Sequence, residues 1–305
     1  MGRVQSRVDR GGSMNKDRQG GPRGRHNTSR RPGGWRGGSA SRNAPAAFGA
    51  QDDDRDDALN LSSDVLVGRH PVREALRAER PISRIWVQEG AAEGSLGEIT
   101  RLARTRGVPV HSLPRMRLDE VAGRLPHQGI VAFVAVKPLL ALEDVEDLVK
   151  ASAEPLVLIL DGIQDPHNVG AILRVANAVD ATAVIIPARG AAGLTPTVAK
   201  ASAGAVEYVA VASVTNIAQA VARLKELGLF IYAADPEAPV LYHQVNWHGA
   251  MGLVIGSEGS GVRPLVRERC DGLVRLPMLG QVASLNAATA TAVLAFEVIR
   301  QRQKP

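Results

Sequence analysis

The sequence predicts an α/β protein with two folded lobes behind a disordered N-terminal segment. Three observations support this prediction. Residues 1–60 are poor in apolar residues, residues 64–137 alternate strand-like and helix-like segments, and residues 155–305 repeat a strand, a loop and a helix. At 305 residues the chain is long enough for two modest domains with sizeable hydrophobic cores.

The net charge of +6 is unevenly distributed along the chain. Residues 1–50 contain 11 Lys and Arg against 2 Asp and Glu, a charge of +9, whereas the remaining 255 residues, with 26 against 29, carry −3. Residues 1–60 are rich in Gly, Arg, Ser, Asn and Pro and have too few apolar residues to offset the entropy of folding. We therefore expect a disordered basic tail, which is either an RNA-tethering arm or a solubilising extension.

In the first lobe, short apolar runs alternate with amphipathic segments, which is typical of a small α/β sandwich. The predicted extended segments are 64–68, 85–87, 108–110 and 130–136, and the predicted helices are 71–78, 96–106 and 118–122. Residues 138–154 are predicted to be a linker that contains an acidic helix.

The second lobe has continuous apolar strands separated by helices. The strands are predicted at 156–160, 182–186, 206–211, 229–233, 251–255 and 273–276. This pattern predicts a mainly parallel sheet that is covered on both faces. In such sheets, ligands bind beyond the carboxyl ends of the strands.

Several classes of protein are excluded by composition. Cys270 is the single cysteine, which excludes an intramolecular disulfide framework and a cysteine-based metal cluster and fits a reducing cytoplasm. We expect no membrane span, because no apolar run reaches 18 residues, and the N-terminus lacks the apolar region of a secretion signal. The seven histidines show no metal-binding spacing, so we expect no metal.

Polar residues are concentrated between Met251 and Arg302. The strand at 251–255 leads into a glycine-rich turn, GSEGSG, and the strand at 273–276 leads through a loop into a long helix predicted to begin near Ser284. Two strand ends and two loops should therefore bring together Glu258, Ser284 and Asn286. Glycines at these strand ends let a ligand lie directly against the backbone.

Asn168 and Arg174 follow the first strand of the second lobe. Asp165 is a predicted N-cap, and Pro166 is suited to the first helical position. On one continuous helix Asn168 and Arg174 would not share a face, whereas a helix that begins near Asn168 would let Arg174 reach back over the strand ends. The alternative is that Arg174 is a surface ion-pair residue whose long side chain extends to solvent.

Glu258 has two interpretations, a helix-capping carboxylate or an anchor for an arginine. Its turn lacks the Lys-Ser/Thr ending of a P-loop and the spacing of a dinucleotide fingerprint, so we exclude ATP hydrolysis and hydride transfer. Ser284 has no histidine at a recognisable spacing, which argues against a hydrolase triad.

Three segments resemble the motifs of the SpoU, or TrmH, branch of the SPOUT RNA methyltransferases. They are NVGAILRVANAVDA at 168–181, LVIGSEGSGV at 253–262 and RLPMLGQVASLNAATATAVLAFE at 275–297. GRHPVREAL at 68–76 and HQGIVA at 127–132 resemble the substrate-binding domain of the RlmB-type rRNA enzymes, which is similar to ribosomal protein L30e. The resemblance covers both lobes, from about residue 64 to 303.

This resemblance implies a deep trefoil knot in the second lobe and S-adenosylmethionine bound in a bent form against it. The contacts would come mainly from Gly256, Leu276 and Leu285, with Met278 nearby. It also implies a homodimer in which each active site lies near the interface. A predicted apolar stripe on the last helix fits either that interface or a monomer core, and it consists of Leu285, Ala288, Ala292, Phe296 and Ile299.

The reaction implied by the resemblance is methylation of a ribose 2′-hydroxyl in RNA, and no metal is required. Because the resemblance is closest to the RlmB-type enzymes, the implied substrate is a guanosine of 23S rRNA. Arg174 would be the base, or would lower the pKa of the hydroxyl electrostatically, because a guanidinium is almost always charged. Glu258 would hold Arg174 in place. Asn168, Ser284 and Asn286 would fix the ribose and the adjacent phosphate, so that much of the rate comes from positioning.

Two departures from the family pattern occur in the glycine-rich turn, where Ser257 replaces a common Ala and Ser260 a common Lys. Loss of the Lys would weaken one RNA contact. Two alternatives stay open: methylation of tRNA or of an rRNA position that confers thiopeptide resistance, and a non-catalytic RNA-binding protein of ribosome assembly. The presence of Arg174, Glu258 and the Ser284–Asn286 segment argues against the second.

Overall fold

A computed structural model describes residues 65–91 and 94–303. The tail predicted to be disordered, residues 1–60, lies outside these described residues. Within them, the chain forms a four-stranded sheet in the first lobe and a seven-stranded sheet in the second. Across both described ranges, no helix combines the length and apolarity needed to cross a bilayer.

The first lobe is an α/β sandwich, as predicted. Its described elements are β1 Val65–Val67, α1 Arg69–Arg77, β2 Ile82–Gln88, α2 Ser95–Thr105, β3 Val110–Leu113, α3 Arg115–Ala122 and β4 Ile130–Val134. The strand order is β1-β4-β2-β3, with β4 antiparallel to both its neighbours and β3 parallel to β2. Helices α1 and α2 cover one face, and α3 covers the other.

The second lobe contains the predicted alternation of strands and helices. Its described elements are α4 Leu142–Ala151, β5 Leu156–Asp161, α5 Pro166–Ala178, β6 Ala183–Pro187, α6 Pro196–Ala201, β7 Val211–Val214, α7 Ile217–Glu226, β8 Phe230–Ala234, β9 Val240–Leu241, β10 Met251–Gly256, α8 Pro264–Arg269, β11 Gly272–Arg275 and α9 Ala287–Arg302. Short 3-10 helices lie at Ala205–Glu207 and Tyr242–Gln244.

All neighbouring strands of the second sheet are parallel, in the order β7-β6-β5-β10-β8-β11-β9. Helices α5, α6 and α9 pack on one face, and α4, α7 and α8 pack on the other. The predicted parallel sheet with two covered faces is therefore confirmed. Because β5 and β10 are neighbours, Asp161 and Gly256 stand side by side at the carboxyl edge of the sheet.

The strand predicted at 206–211 is wrong. Residues Ala205–Glu207 form a 3-10 helix after Gly204, which has a φ of 90°, and the strand begins only at Val211. Val206 and Val209 are both buried in the core although they are three residues apart. That spacing fits a helical turn, whereas a strand turns every second residue to the same face.

The last helix begins at Ala287, three residues later than predicted, because the Asn286 side chain caps it. The predicted apolar stripe is only partly confirmed, since Ala288 is buried in the core and Ile299 packs against it. Phe296 is 51% exposed, and Leu285 precedes the helix. The buried residues of α9 are Ala287, Ala288, Thr291, Leu294, Ala295, Glu297 and Val298. The monomer-core interpretation of that stripe therefore holds for Ala288 and Ile299 and fails for Leu285 and Phe296.

The two lobes are in direct contact through α6 and the 3-10 helix at Ala205–Glu207. One continuous hydrophobic core includes buried residues of both lobes, such as Leu66 on β1 and Val198 on α6. Polar contacts add to it, since the Tyr208 hydroxyl donates to the Glu74 carboxylate over 2.9 Å. The first lobe is thus packed against the second lobe and is not merely tethered to it.

Candidate active site

A ring of three polar side chains lies at the carboxyl edge of the parallel sheet. Asn168 comes from the first turn of α5, Glu258 from the loop after β10, and Asn286 from the start of α9. The side chains of these residues, which are far apart in sequence, are in hydrogen-bond contact. The structure therefore brings together three of the five predicted catalytic residues.

The ring is closed by three hydrogen bonds. Asn168 Nδ2 donates to Glu258 Oε1 over 2.9 Å. Asn286 Nδ2 donates to Asn168 Oδ1 over 2.8 Å and to the same Glu258 oxygen over 2.7 Å. These hydrogen bonds fix which way each amide points, because in every one of them the donor is an amide nitrogen. Within the described residues, Glu258 accepts hydrogen bonds from two amides and neither caps a helix nor contacts an arginine.

Local sequence explains why Asn168 and Asn286 are held rigidly. The Asp165 side chain accepts from His167 N over 2.9 Å with Pro166 in the first helical turn, which confirms the predicted cap of α5. Asn286 caps α9, where its Oδ1 accepts from the backbone nitrogens of Ala288 and Thr289. Each amide of the ring is thus attached to the N-terminus of a helix, where the backbone N–H groups need such partners.

The glycine-rich turn is a tightly closed loop. Ser257 and Gly261 exchange two backbone hydrogen bonds, of 3.2 and 2.9 Å, and the hydroxyls of Ser257 and Ser260 lie 2.5 Å apart. A Cβ atom at Gly256 would lie 2.1 Å from the Gly261 carbonyl carbon, so only glycine fits there. The two serines that depart from the family pattern therefore bond to each other across the turn.

Asp161 and Arg263 were not predicted as site residues. The Asp161 carboxylate accepts from the Arg263 backbone nitrogen over 2.8 Å and from its Nε over 2.7 Å. The Asp161 side chain is fully buried. One signal in the sequence points to it, because an acidic residue ends the otherwise apolar strand LVLILD.

Arg174 is not joined to the ring. Helix α5 is continuous from Pro166 to Ala178, so Arg174 lies about 9 Å along the axis from Asn168 and about 120° around it. It is exposed and makes no hydrogen bond or ion pair within residues 65–91 and 94–303. The expectation that Glu258 holds Arg174 is therefore wrong for a single chain.

Ser284 is also outside the ring. It is exposed, and its side chain makes no hydrogen bond to any other described residue. It lies two residues before Asn286 in the loop between β11 and α9. Its predicted contact with a ribose or phosphate stays a prediction.

The residues predicted to bind a cofactor lie on the same two loops. Gly256 ends β10, Leu276 and Met278 follow β11, and Leu285 precedes the ring residue Asn286. Three of them are half-buried, whereas Leu285 is 40% exposed. In the same loop Leu279 and Val282 are 98% and 71% exposed, which gives this edge an apolar surface. Exposed apolar patches of this kind mark binding sites.

Metal ligands are absent from the described part of the chain, where no group of three or more His, Cys, Asp or Glu residues could hold an ion. The thiol of Cys270 makes no hydrogen bond to the ring and donates to the Val266 carbonyl over 3.3 Å. Burial, with a smaller effect of nearby carboxylates, raises its pKa to about 12. This thiol is therefore not a nucleophile at neutral pH.

Two family models match the chain. Residues 155–296 match the SpoU rRNA methylase family, and residues 65–139 match the substrate-binding domain of RNA 2′-O ribose methyltransferases. A relative from Bacillus subtilis (strain 168), whose name assigns it to the TrmH family of tRNA/rRNA methyltransferases, is 42% identical over 249 residues. That alignment covers 80% of this chain and 98% of the relative.

Solved structures agree with this assignment. A crystal structure named RNA 2′-O ribose methyltransferase has a TM-score of 0.66 at 25% identity, covering 79% of this chain and 89% of that one. The SpoU methyltransferase AviRb from Streptomyces viridochromogenes, solved with AdoMet, has a TM-score of 0.66 at 21% identity and covers 78% of this chain and 90% of its own. The chain therefore belongs to the SpoU/TrmH family of RNA methyltransferases.

Proposed function

We propose that this protein transfers a methyl group from S-adenosylmethionine to the 2′-hydroxyl of a guanosine ribose in 23S rRNA. The observation that carries the proposal is the ring of Asn168, Glu258 and Asn286 at the carboxyl edge of a parallel sheet. Ligands bind at this edge in open α/β sheets. The ring joins all three motifs on which the resemblance rests.

The residues around the ring suit S-adenosylmethionine. Gly256 offers backbone without a side chain, and Leu276, Met278 and Leu285 offer apolar surface, so the walls fit the adenosine part of this cofactor. When bound, the cofactor supplies an electrophilic methyl group on a sulfonium. AviRb, a neighbour in fold, was solved with this cofactor.

In the proposed reaction, the ring orients the groups that meet the ribose. Its hydrogen bonds hold Asn168 and Asn286 in one geometry before substrate arrives, which is the kind of preorganisation that lowers a barrier. Methyl transfer would form a C–O bond at the ribose oxygen and break the bond between the methyl group and sulfur, leaving S-adenosylhomocysteine, and the hydroxyl proton would pass to water or to a phosphate oxygen. Arg174, which has no partner within the described residues, is free to contact the ribose oxygen or a phosphate and to stabilise negative charge there.

A homodimer accounts for the exposed apolar residues around α9. Phe296 and Val293 are 51% and 38% exposed on the helix that packs against α5, the helix that carries Arg174. A dimer formed through this surface would bury both residues and would lie close to Arg174. We propose this arrangement, together with the trefoil knot and a cytoplasmic location, as expectations that follow from the family.

The choice of 23S rRNA rests on the substrate-binding lobe. Residues 65–139 match a family model for substrate binding by RNA 2′-O ribose methyltransferases, and the resemblance at 68–76 and 127–132 is to rRNA enzymes. The relative from Bacillus subtilis is named for both tRNA and rRNA, so tRNA is the competing substrate.

The test is methyl transfer from labelled S-adenosylmethionine to 23S rRNA, 16S rRNA and tRNA. We expect label in 23S rRNA alone, at the 2′-oxygen of one guanosine, and a loss of at least 100-fold with Arg174→Ala. Arg269→Ala is the matched control. Arg269 is an exposed arginine of the same lobe and is the last residue of α8, which leads into the amino end of β11, whereas the candidate site lies at the carboxyl edge of the sheet. It should leave transfer unchanged.

Label in tRNA would show that the substrate is tRNA and not 23S rRNA, and the proposed methyl transfer to a ribose would stand. Absence of label in every RNA and in ribosomal subunits, with cofactor binding intact, would favour the non-catalytic RNA-binding protein. A dimer that is measured by light scattering and dissociated by Phe296→Ser would support the proposed assembly.

A further inference from the structure

Asp161 holds both ends of the loop that carries Glu258. At one end, Asp161 pairs with Gly256 in the register of β5 and β10. At the other end, its carboxylate binds Arg263 through the backbone nitrogen, Nε and Nη2, over 2.8, 2.7 and 2.5 Å. The segment 256–263 therefore begins beside Asp161 in the sheet and ends in contact with the Asp161 side chain.

The charge balance at this point depends on one partner. The Asp161 side chain is fully buried, whereas the Arg263 side chain is 58% exposed. Within the described residues, all the hydrogen bonds to this carboxylate come from Arg263. Removing the guanidinium would leave a buried charge with only one backbone donor, which is costly.

The same contact connects two motifs of the candidate site. Asp161 ends β5 and begins the segment that leads to Asn168, and Arg263 ends the segment that begins at Gly256 and carries Glu258. Asn168 and Glu258 then bond to each other over 2.9 Å. The two loops are thus fixed twice, once at their base by an ion pair and once at their ends by the ring.

We infer that Asp161 and Arg263 are positioning residues that hold the 256–263 loop in its ligand-binding shape. Through this loop they act on the backbone of Gly256, which lines the cofactor site, and on the carboxylate of Glu258. The inference rests on the proposed function, because it assigns S-adenosylmethionine to this edge of the sheet. Neither residue needs to touch the cofactor or the RNA.

Arg263→Ala is the direct test, with S-adenosylmethionine binding measured by calorimetry below the melting temperature of each variant. We expect the dissociation constant to rise at least tenfold. Arg263→Lys keeps the charge but loses the fork of donors, so it should recover part of that affinity. Asp161→Asn should behave like Arg263→Ala.

Arg267→Ala is the matched control. Arg267 lies on α8, about one turn after Arg263, and like Arg263 it is an arginine that pairs with a carboxylate, that of Asp235, over 3.0 Å. Its removal should leave the dissociation constant within twofold of the unaltered protein. A purely structural role for Arg263 would lower the melting temperature without this selective change in affinity.

Hydrogen exchange in the ligand-free protein separates this inference from the proposed function. Arg263→Ala should speed exchange at the amides of Ser257 and Gly261, which bond across the loop, and leave α5 protected. Unchanged exchange in the loop, or unchanged cofactor affinity in a folded variant, would overturn the inference. If the unaltered chain binds no S-adenosylmethionine while exchange still rises in the variant, the loop role stands and the proposed function fails.

Discussion

Arg80 and Glu207 form a buried ion pair across the junction of the two lobes, with Nη1 and Oε1 2.8 Å apart. Their side chains are only 10% and 3% exposed. Arg80 also donates to the Ala135 carbonyl from Nε and Nη2, over 3.0 and 2.6 Å. This arginine therefore connects the segment just after β4 in the first lobe to the 3-10 helix in the second.

Loss of this ion pair should destabilise the whole described fold. Glu207→Gln leaves the Arg80 guanidinium buried without a counter-charge, and breaking a buried pair from one side costs about 3–5 kcal/mol. The free energy of unfolding, measured in urea, should fall by that amount. Because one core spans both lobes, the transition should stay a single step.

The comparison variant is Arg117→Ala. Arg117 pairs with Glu120 over 3.2 Å, but both side chains are about half exposed, at 52% and 55%. Exposed pairs contribute about 0.2–1 kcal/mol, so this change should be barely measurable. If the free energy of unfolding fell equally in the two variants, the ion pair of Arg80 and Glu207 would contribute no more to stability than a surface pair.

Cys270 offers a second measurement, because it is the single thiol in the chain. Burial raises its pKa to about 12, and only the thiolate reacts with alkylating reagents. At pH 8, labelling of the folded protein should therefore be on the order of 1,000-fold slower than labelling of the unfolded chain, whose thiol has a pKa of about 8.5. Equal rates before and after denaturation would show that α8 does not cover this thiol.

Much of the fold follows from patterns in the sequence. Continuous apolar strands predicted the parallel sheet, and Asp165 followed by Pro166 predicted the start of α5, where the structure has both. The segment at 206–211 failed because its valines suit strands by composition, whereas their burial follows the spacing of a turn. Local preference was overridden by the packing of Val206 and Val209 between the lobes.

The candidate site was predictable only in part. Glu258 and Asn286 were expected to meet, because parallel strands end at one edge, and the structure brings them to 2.7 Å. The contact between Glu258 and Asn168 could not be predicted, because it depends on where α5 begins and how this helix lies on the sheet. The ion pair of Asp161 and Arg263 joins residues that are 102 positions apart, which no local pattern can show.

Gly256→Ala should abolish the closed form of the glycine-rich loop. Its Cβ would lie 2.1 to 2.4 Å from backbone atoms of Gly261 and Val262, none of which can rotate away. We expect S-adenosylmethionine binding to fall below detection and the free energy of unfolding to fall by about 1–3 kcal/mol. Gly193→Ala is the control, because a Cβ there meets nothing within 4 Å and should change neither quantity.

Asn286 has two separable roles, and two substitutions distinguish them. Its Oδ1 caps α9 by accepting from Ala288 N and Thr289 N, whereas its Nδ2 donates to Asn168 and Glu258. Asn286→Asp keeps oxygens for the cap, and a carboxylate at a helix N-terminus is favourable. It loses the donor, however, and would place a second carboxylate 2.7 Å from Glu258 Oε1.

We therefore expect Asn286→Asp to keep the free energy of unfolding within about 1 kcal/mol of the unaltered protein, since the cap is retained. Methyl transfer to RNA should nevertheless fall at least 100-fold, because the ring cannot close. Asn286→Ala should lose methyl transfer to the same extent, and the missing cap should also lower its free energy of unfolding by about 1 kcal/mol. If Asn286→Asp transferred methyl groups at the normal rate, Asn286 would act only as a helix cap. The catalytic roles assigned to Asn168 and Glu258 would then be contradicted as well.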